Sequence, residues 1–253
     1  MKTLLASALL ALAMPLSALA GEQQTMRFYG YAFDLHTNKY LYTEVHEQLV
    51  EGDRWLGGTI WYYAADGTLI GRKTMDFTKD PYVPVYQLEQ ASLGYIEGIT
   101  DNGDPIQLFR RQHADEPQQG TTVDHIAAMA ADSGLHSYIR AHLPELVGGA
   151  TISFRMAVAG ELDTFKFRLK RVGEARFEAR DGIKLRLEPN SFLRFLADPI
   201  ELLYDPKDRK LLEYRGVSNV HDPATGKVFN TRIAYYSQPP PDAPKSLPPL
   251  TAP

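Results

Sequence analysis

The chain has 253 residues, of which 44% are hydrophobic and 11% aromatic, so it can form a packed core and is not intrinsically disordered. It contains no cysteine, which excludes disulfides and thiolate metal ligands. The formal net charge of −4 argues against nucleic acid as a partner.

The first twenty residues have the pattern of a secretory signal peptide. Lys2 supplies the positive end, Leu4 to Met14 is a nearly continuous apolar run, and Ala18-Leu19-Ala20 forms a small-x-small cleavage site. The apolar run is shorter than the about 20 residues of a transmembrane helix. The sequence therefore predicts cleavage after Ala20 and export to the periplasm. Full secretion and an uncleaved anchor are the alternatives.

Residues 26–77 predict four strands joined by short turns. Asp66-Gly67 is the strongest hairpin signal, because a tight turn there needs a positive φ. In the third strand, period-2 alternation places Trp55, Thr59, Trp61 and Tyr63 on one face. The aromatic side chains between residues 28 and 63 predict either core packing or a groove for a sugar or an acyl chain.

The middle of the chain predicts two short strands and a helical insert near residues 122–147. The first helix of this insert is predicted from Val123 to Ala130. A second helix is indicated by apolar residues at helical spacing and is expected to end at Gly148-Gly149. These apolar residues are Leu135, Tyr138, Ile139, Leu143 and Leu146.

From Thr151 to Tyr236 the sequence alternates between apolar and charged residues, which is typical of half-buried strands. Phe192 to Leu196 is predicted to be a helical turn or an edge segment. The apolar residues of three strands are the candidate ligand-binding residues, with a dry core as the alternative. They are Phe154, Met156, Phe165, Phe167, Leu169, Leu185 and Leu187.

Positive charge is concentrated in the second half of the chain. Residues 21–150 carry 9 basic and 18 acidic side chains, whereas residues 151–253 carry 17 and 13. The Lys and Arg residues between 166 and 186 predict a solvated face that prevents edge-to-edge pairing. Peripheral contact with an anionic lipid surface or an envelope polymer is the alternative.

No motif for catalysis stands out. The chain has no G-x-S-x-G elbow, and Ser133 fits a helix cap better than a nucleophile. Glu44 and His46 should share one face of a strand, but two metal ligands need a third, and none is apparent. The sequence therefore predicts no metal, no cofactor and no catalytic residue, and it favours a protein that is not an enzyme.

The segment DPIELLYDPKDRKLLEYRGVSNVH, residues 198–221, has a rhythm of strand, Asp-Pro turn, strand, glycine and strand. It resembles uncharacterised exported bacterial proteins. Residues 150–236 also resemble the periplasmic lipoprotein carriers, in which an incomplete antiparallel barrel wraps a helix and holds acyl chains on its concave face. The resemblance implies such a fold, but no functional residue of that family maps onto this chain.

Together these patterns predict an α+β protein that is mainly antiparallel β, with a strongly curved sheet or incomplete barrel and a short helical insert. A single domain is expected over residues 21–238, followed by a Pro-rich disordered tail over 239–253. The expected function is non-enzymatic binding of a lipid or other apolar ligand in the cell envelope. An envelope hydrolase using carboxylate or His residues, and a structural or protein-interaction module, are the alternatives.

Overall fold

The protein forms one open, curved sheet with a single short α-helix. We describe residues 22–190, 199–245 and 247 from a computed structural model. The predicted signal peptide, the segment Phe192–Leu196, and residues 246 and 248–253 of the predicted tail lie outside the described residues. Within the described residues, no helix has both the length and the apolar content needed to cross a membrane.

The described residues contain fifteen strands, one α-helix and two 3₁₀ turns. The strands are β1 (Gln23–Asp34), β2 (Tyr40–Glu51), β3 (Arg54–Ala64), β4 (Leu69–Asp76), β5 (Val85–Gln90), β6 (Tyr95–Asp101), β7 (Ile106–Arg111), β8 (Gln119–Val123), β9 (Met129–Ala131), β10 (Thr151–Val158), β11 (Asp163–Phe177), β12 (Arg180–Pro189), β13 (Ile200–Asp205), β14 (Lys210–His221) and β15 (Val228–Ala234). The helix α1 spans Leu135–Val147, and the 3₁₀ turns lie at Asp132–Gly134 and Ala159–Glu161.

The strands form one sheet in the order β8-β7-β6-β5-β4-β3-β2-β1-β15-β14-β13-β12-β11-β10-β9. The neighbouring strands are antiparallel, except that β9 and β10 are parallel. The first and last strands of the sequence therefore lie side by side in the middle of the sheet. The predicted class, a mainly antiparallel curved sheet with a short helix, is confirmed.

The curvature follows from one short connection between the two edge strands. A flat sheet of this width would measure about 65 Å, whereas the chain from Val123, which ends β8, to Met129, which begins β9, reaches at most about 20 Å. The sheet therefore has to curl until its edges approach each other. Near these edges, Nη1 of Arg110 on β7 donates to the carbonyl of Gly160, in the 3₁₀ turn before β11, at 2.5 Å. The edge strands do not pair, so the sheet stays open.

The helix α1 covers the inner face of the second half of the sheet. Its five apolar residues predicted from the sequence are all buried against β10–β13. Gly149 follows the end of the helix and has a φ of +91°. Glycine suits this position because it adopts such a left-handed conformation without strain. The prediction of a helix ending at Gly148-Gly149 is therefore confirmed.

The prediction of a first helix over residues 123–130 is wrong. Val123 ends β8, and Met129 begins β9, which pairs in parallel with β10. The Ala131 N–H donates to the Tyr82 carbonyl at 2.8 Å, and Met129 to Ala131 are completely or almost completely buried. Pairing with β10 and burial of the small side chains therefore outweigh the helix propensity of this alanine-rich segment.

The beginning of the predicted tail packs on the sheet. Ala243 is buried and contacts an aromatic cluster formed by Tyr31, Phe33 and Tyr40. The described part of this Pro-rich segment therefore follows the protein surface.

Candidate functional site

A cavity of about 620 Å³ lies between the inner face of the sheet and the start of α1. Strands β1–β4, β14 and β15 form its sheet side, and residues from Asp132 to Arg140 form its helix side. Its volume is within the range typical of small-molecule sites, about 300–1,000 Å³.

One polar group on the cavity wall is a carboxylate–imidazole pair on β2. Oε2 of Glu44 lies 2.9 Å from Nε2 of His46, and the Tyr235 hydroxyl donates to the same oxygen at 3.1 Å. The other ring nitrogen, Nδ1 of His46, is buried and has no hydrogen-bond partner among the described residues. The prediction that Glu44 and His46 share one face of a strand is therefore confirmed.

Gly30 makes room for this pair. It lies directly opposite Glu44 in the register of β1 and β2. A Cβ atom at this position would lie 2.7 Å from Oε2 of Glu44 and 3.0 Å from the Tyr235 ring. Because that approach is too close for a carbon atom, the glycine allows the carboxylate and the phenol to meet.

A second polar group joins the sheet to the turn before α1. Oδ2 of Asp132 accepts from Nζ of Lys73 at 3.1 Å and from Nδ2 of Asn219 at 2.8 Å. The same Asn219 nitrogen lies 3.3 Å from Oε1 of Glu97, whose other oxygen accepts from the Tyr95 hydroxyl at 2.6 Å. Burial is the main cause that raises the pKa of Glu97, which favours its neutral form.

The phenol of Tyr62 is affected by acidic side chains of both polar groups described above. Burial raises its pKa well above the ordinary value, and the charges of Glu44, Asp132 and Glu97 raise it further. Tyr62 therefore stays protonated, in a region of negative potential on the cavity wall.

The apolar part of the wall includes Trp55, although the sequence pattern placed Trp55 on the same face of β3 as Trp61. A β-bulge places Trp55 opposite Val50 while Gly57 lies opposite Leu49, so the extra residue Leu56 reverses the alternation. Trp55 consequently lines the cavity, and its ring centroid lies 4.9 Å from that of His136. The prediction that Trp55 shares a face with Trp61 is wrong for this reason.

His136 belongs to the first turn of α1. Its Nδ1 shares a hydrogen bond of 2.8 Å with the Tyr204 hydroxyl, and its ring also stacks on the Tyr204 ring. Burial, with a smaller effect of the Arg140 charge, lowers the pKa of His136 to about 3. His136 is therefore a neutral side chain that fixes the helix to β13.

Charged residues surround the outer part of the cavity. Asp53 pairs with Arg140, at 3.4 Å, and with Arg209. Arg180 pairs with Asp208 at 2.9 Å. Because Arg140 and Arg209 share one carboxylate and Lys210 also lines the cavity, this outer part carries an excess of positive charge.

The seven predicted ligand-binding residues lie away from this cavity. Five of them are buried in the cluster beneath α1, which also includes the half-buried Phe167. Phe165 is half-buried on β11, opposite Met156. None of the seven is among the described residues that line the cavity, so their role in ligand binding stays a prediction. The five buried residues are Phe154, Met156, Leu169, Leu185 and Leu187.

The outer face of β11–β15 carries a row of basic residues. In register across these five strands lie Lys170, Arg186, Glu201, Arg215 and Arg232. We call these residues the basic row. Four of the five are cations, and their carboxylate partners come from both inside and outside the row.

Sequence reasoning did not identify Lys73, Glu97, Asp132 and Asn219 as site residues. One signal for Glu97 was present, because it occupies an inward position between Tyr95 and Ile99, where an apolar side chain is expected. Lys73 has the same signal, lying between the buried residues Gly71 and Met75. Charged residues at inward positions of a strand can therefore indicate a polar site.

In the part of the chain that the structure describes, no cluster of three or more His, Asp and Glu side chains could hold a metal ion. No protein-family model matches the chain, and no curated protein matches it in sequence. The cavity is therefore the basis for inferring a function.

Proposed function

We propose that the protein is a non-enzymatic protein of the bacterial periplasm or cell envelope that binds a lipid or another amphipathic small molecule. The observation that carries this proposal is the cavity of about 620 Å³, which combines apolar side chains with buried polar groups. Ligand sites of soluble proteins typically have this composition, because apolar contacts supply affinity and a few polar groups set the orientation.

The two parts of the wall suggest how such a ligand lies. Phe28, Trp55, Ile60 and Ile233 offer apolar contacts. The polar groups around Glu44 and Asp132 lie at neighbouring positions of the wall. Glu44 lies opposite Tyr62 on β3, and Lys73, which donates to Asp132, lies opposite Ile60 on the same strand. An amphipathic molecule places its polar end in that region and its apolar part against the aromatic and aliphatic side chains.

The direct test is a native mass spectrum of the protein purified from its own cell envelope without denaturing steps. A bound molecule that leaves on collisional activation supports the proposal and gives its mass. A spectrum of the bare chain, together with no binding of amphipathic probes, would contradict it. The mass of the bare chain also reports whether the predicted signal peptide has been removed after Ala20.

A matched pair of variants locates the site. Val217 lines the cavity and is 52% exposed, whereas Val228 is 47% exposed on the adjacent strand and does not line it. Val217→Trp is expected to occlude the cavity and reduce retained ligand, with little effect on folding. Val228→Trp adds the same bulk elsewhere and should retain ligand at the wild-type level. Equal retention by both variants would place the ligand outside the cavity.

The Glu44–His46 pair favours a second candidate function, an envelope hydrolase. A carboxylate bonded to one imidazole nitrogen orients the ring and leaves the other nitrogen to accept a proton. Hydrolysis of ester or glycoside substrates that is lost in His46→Ala but kept in His142→Ala would support this candidate. An activity that survives both His46→Ala and His136→Ala would exclude a mechanism that uses either of these histidines.

A further inference from the structure

We infer that the polar end of the ligand is a protonated amine, held by Glu44 and Asp132 and surrounded by aromatic rings. This inference rests on the proposed function and adds the chemical class of the ligand. We call the part of the cavity wall around Glu44, Asp132 and Tyr62 the inner wall. The inference is drawn from the hydrogen-bonding atoms there that already have partners, and from the charges and aromatic rings beside them.

Most donors of the inner wall are already engaged, and among the described residues that line it only the Tyr62 and Ser133 hydroxyls have no hydrogen-bond partner. His46 Nε2 and the Tyr235 hydroxyl both contact Oε2 of Glu44, while Lys73 and Asn219 both donate to Oδ2 of Asp132. A fifth donor, the Tyr214 hydroxyl, bonds to the Val217 carbonyl at 2.5 Å. Apart from these two hydroxyls, a ligand that needs donors from this wall would have to compete with one of these bonds.

Acceptors, in contrast, remain. Among the described residues, Oε1 of Glu44 and Oδ1 of Asp132 accept no hydrogen bond from the protein. Nδ1 of His46 is also without a partner, although the residue is only 6% exposed. This nitrogen is itself buried, so the free acceptors that a ligand can reach are the two carboxylate oxygens. Two free carboxylate oxygens at one wall suit a group with several N–H donors, such as an ammonium.

The local charge also favours a cationic ligand. The wall carries the carboxylates of Glu44 and Asp132 and one buried lysine, Lys73, which pairs with Asp132, while burial raises the pKa of Glu97 and favours its neutral form. The inner wall therefore has two carboxylates beside a single lysine. A carboxylate, sulfate or phosphate placed there would meet like charges at low local dielectric, whereas a cation would be stabilised.

Aromatic rings complete the arrangement. Phe28, Trp55, Tyr62, Tyr214 and Tyr235 all line the cavity. The faces of such rings attract cations, and Trp and Tyr are the most effective. The Phe28 ring stacks on the His46 ring with centroids 4.3 Å apart, so an aromatic surface begins next to the unpartnered Nδ1 atom. An amine can bond to the acceptors while its alkyl or aryl part covers these rings.

Three probes of equal chain length test the inference on the intact mature protein: decylamine, 1-decanol and decanoate. Each is titrated at neutral pH below its micelle concentration or, for decanol, below its solubility limit, and binding is measured by calorimetry. Decylammonium is expected to bind at least about tenfold more tightly than decanol or decanoate. If decanol or decanoate binds as tightly as decylammonium, the amine inference is overturned while the proposed binding function stands. If none of the probes binds, both fail.

Isosteric variants assign the contact. Glu44→Gln and Asp132→Asn should each weaken decylammonium binding about tenfold and leave decanol binding unchanged. Glu201→Gln is the matched control, because Glu201 lies on the outer face beside Arg186 and should bind like the wild type. Circular dichroism confirms that each variant is folded. Unchanged affinity in both cavity variants would overturn the inference. If a variant does not fold, the relative affinities of the three probes for the wild-type protein still decide it.

Discussion

Nζ of Lys73 and Oδ2 of Asp132 lie 3.1 Å apart although the residues are 59 positions apart in the chain. Lys73 is on the inner face of β4, and Asp132 begins the turn that leads into α1. The pair therefore ties the first half of the sheet to the helix across the cavity. Asn219 on β14 joins the same carboxylate, so three distant parts of the chain meet at Asp132.

Loss of this pair should destabilise the fold. Lys73→Met keeps the length of the side chain but leaves Asp132 without its cationic partner. Lys73 is 5% exposed, whereas the Asp132 side chain is 39% exposed, so cavity water offsets part of the cost. We expect the free energy of unfolding in urea to fall by about 1–3 kcal/mol. Lys184→Met, on an exposed position of β12, is the control and should stay within about 0.5 kcal/mol of the wild type.

Glu97→Gln should stabilise the protein at neutral pH. Burial raises the pKa of Glu97 above that of an unfolded glutamate, so the stabilising protonated form is lost as the pH rises through the folded-state pKa. A glutamine has no such penalty and can still accept from Asn219 and donate to Tyr95. The variant should show a higher urea midpoint than the wild type at pH 7, and the difference should shrink at pH 4 and below. Glu116→Gln, at an exposed loop position, should show no such trend.

His136 should make the fold sensitive to acid. Its folded-state pKa of about 3 lies below the ordinary value of 6.5, so the unfolded chain binds a proton that the folded chain does not. The stability that comes from this residue is present above pH 6.5 and is lost as the pH falls toward 3. His136→Gln should therefore flatten the fall of stability over this window, as measured by urea titrations at successive pH values. His142→Gln, on a partly exposed side of the same helix, should follow the wild type.

The two tryptophans should report ligand binding differently. Trp55 lines the cavity, whereas Trp61 follows the bulge and is not among the described residues that line it. A bound ligand should change the emission of Trp55. Trp61→Phe should keep the change in fluorescence on addition of ligand, and Trp55→Phe should lose it. A signal that depends on Trp61 would mean that the ligand binds to the outer face of β3.

The outer face of β11–β15 should bind anionic membranes weakly. The basic row spans five strands, and Lys166 and Lys184 are exposed cations on the same face. We expect co-sedimentation with vesicles that contain phosphatidylglycerol, weakened by salt, and none with pure phosphatidylcholine.

Charge reversal separates this surface from general charge effects. The double variant Lys166→Glu and Lys184→Glu should lose vesicle binding. The double variant Lys39→Glu and Lys227→Glu has the same change in net charge at exposed positions outside this face, and it should keep the binding. Equal loss in both variants would mean that only the net charge of the protein matters.

Local patterns were sufficient for much of the fold. The alternation in β10–β12 and the glycine turn between β3 and β4 predicted those strands, and the spacing of five apolar residues predicted α1. The same reasoning failed where a long-range contact decides the local structure. Residues 129–131 became a strand because β10 offers hydrogen bonds to them, and a single bulged residue, Leu56, turned Trp55 inward.

By itself the sequence determined the antiparallel β character, the helix α1 and the common face of Glu44 and His46, because each depends on residues a few positions apart. Only the tertiary structure decided that a cavity exists and that Lys73, Glu97, Asp132 and Asn219 meet at its wall. These residues lie on β4, β6, the turn before α1 and β14. Their meeting depends on the curl of the whole sheet, which the spacing of residues along the chain does not encode.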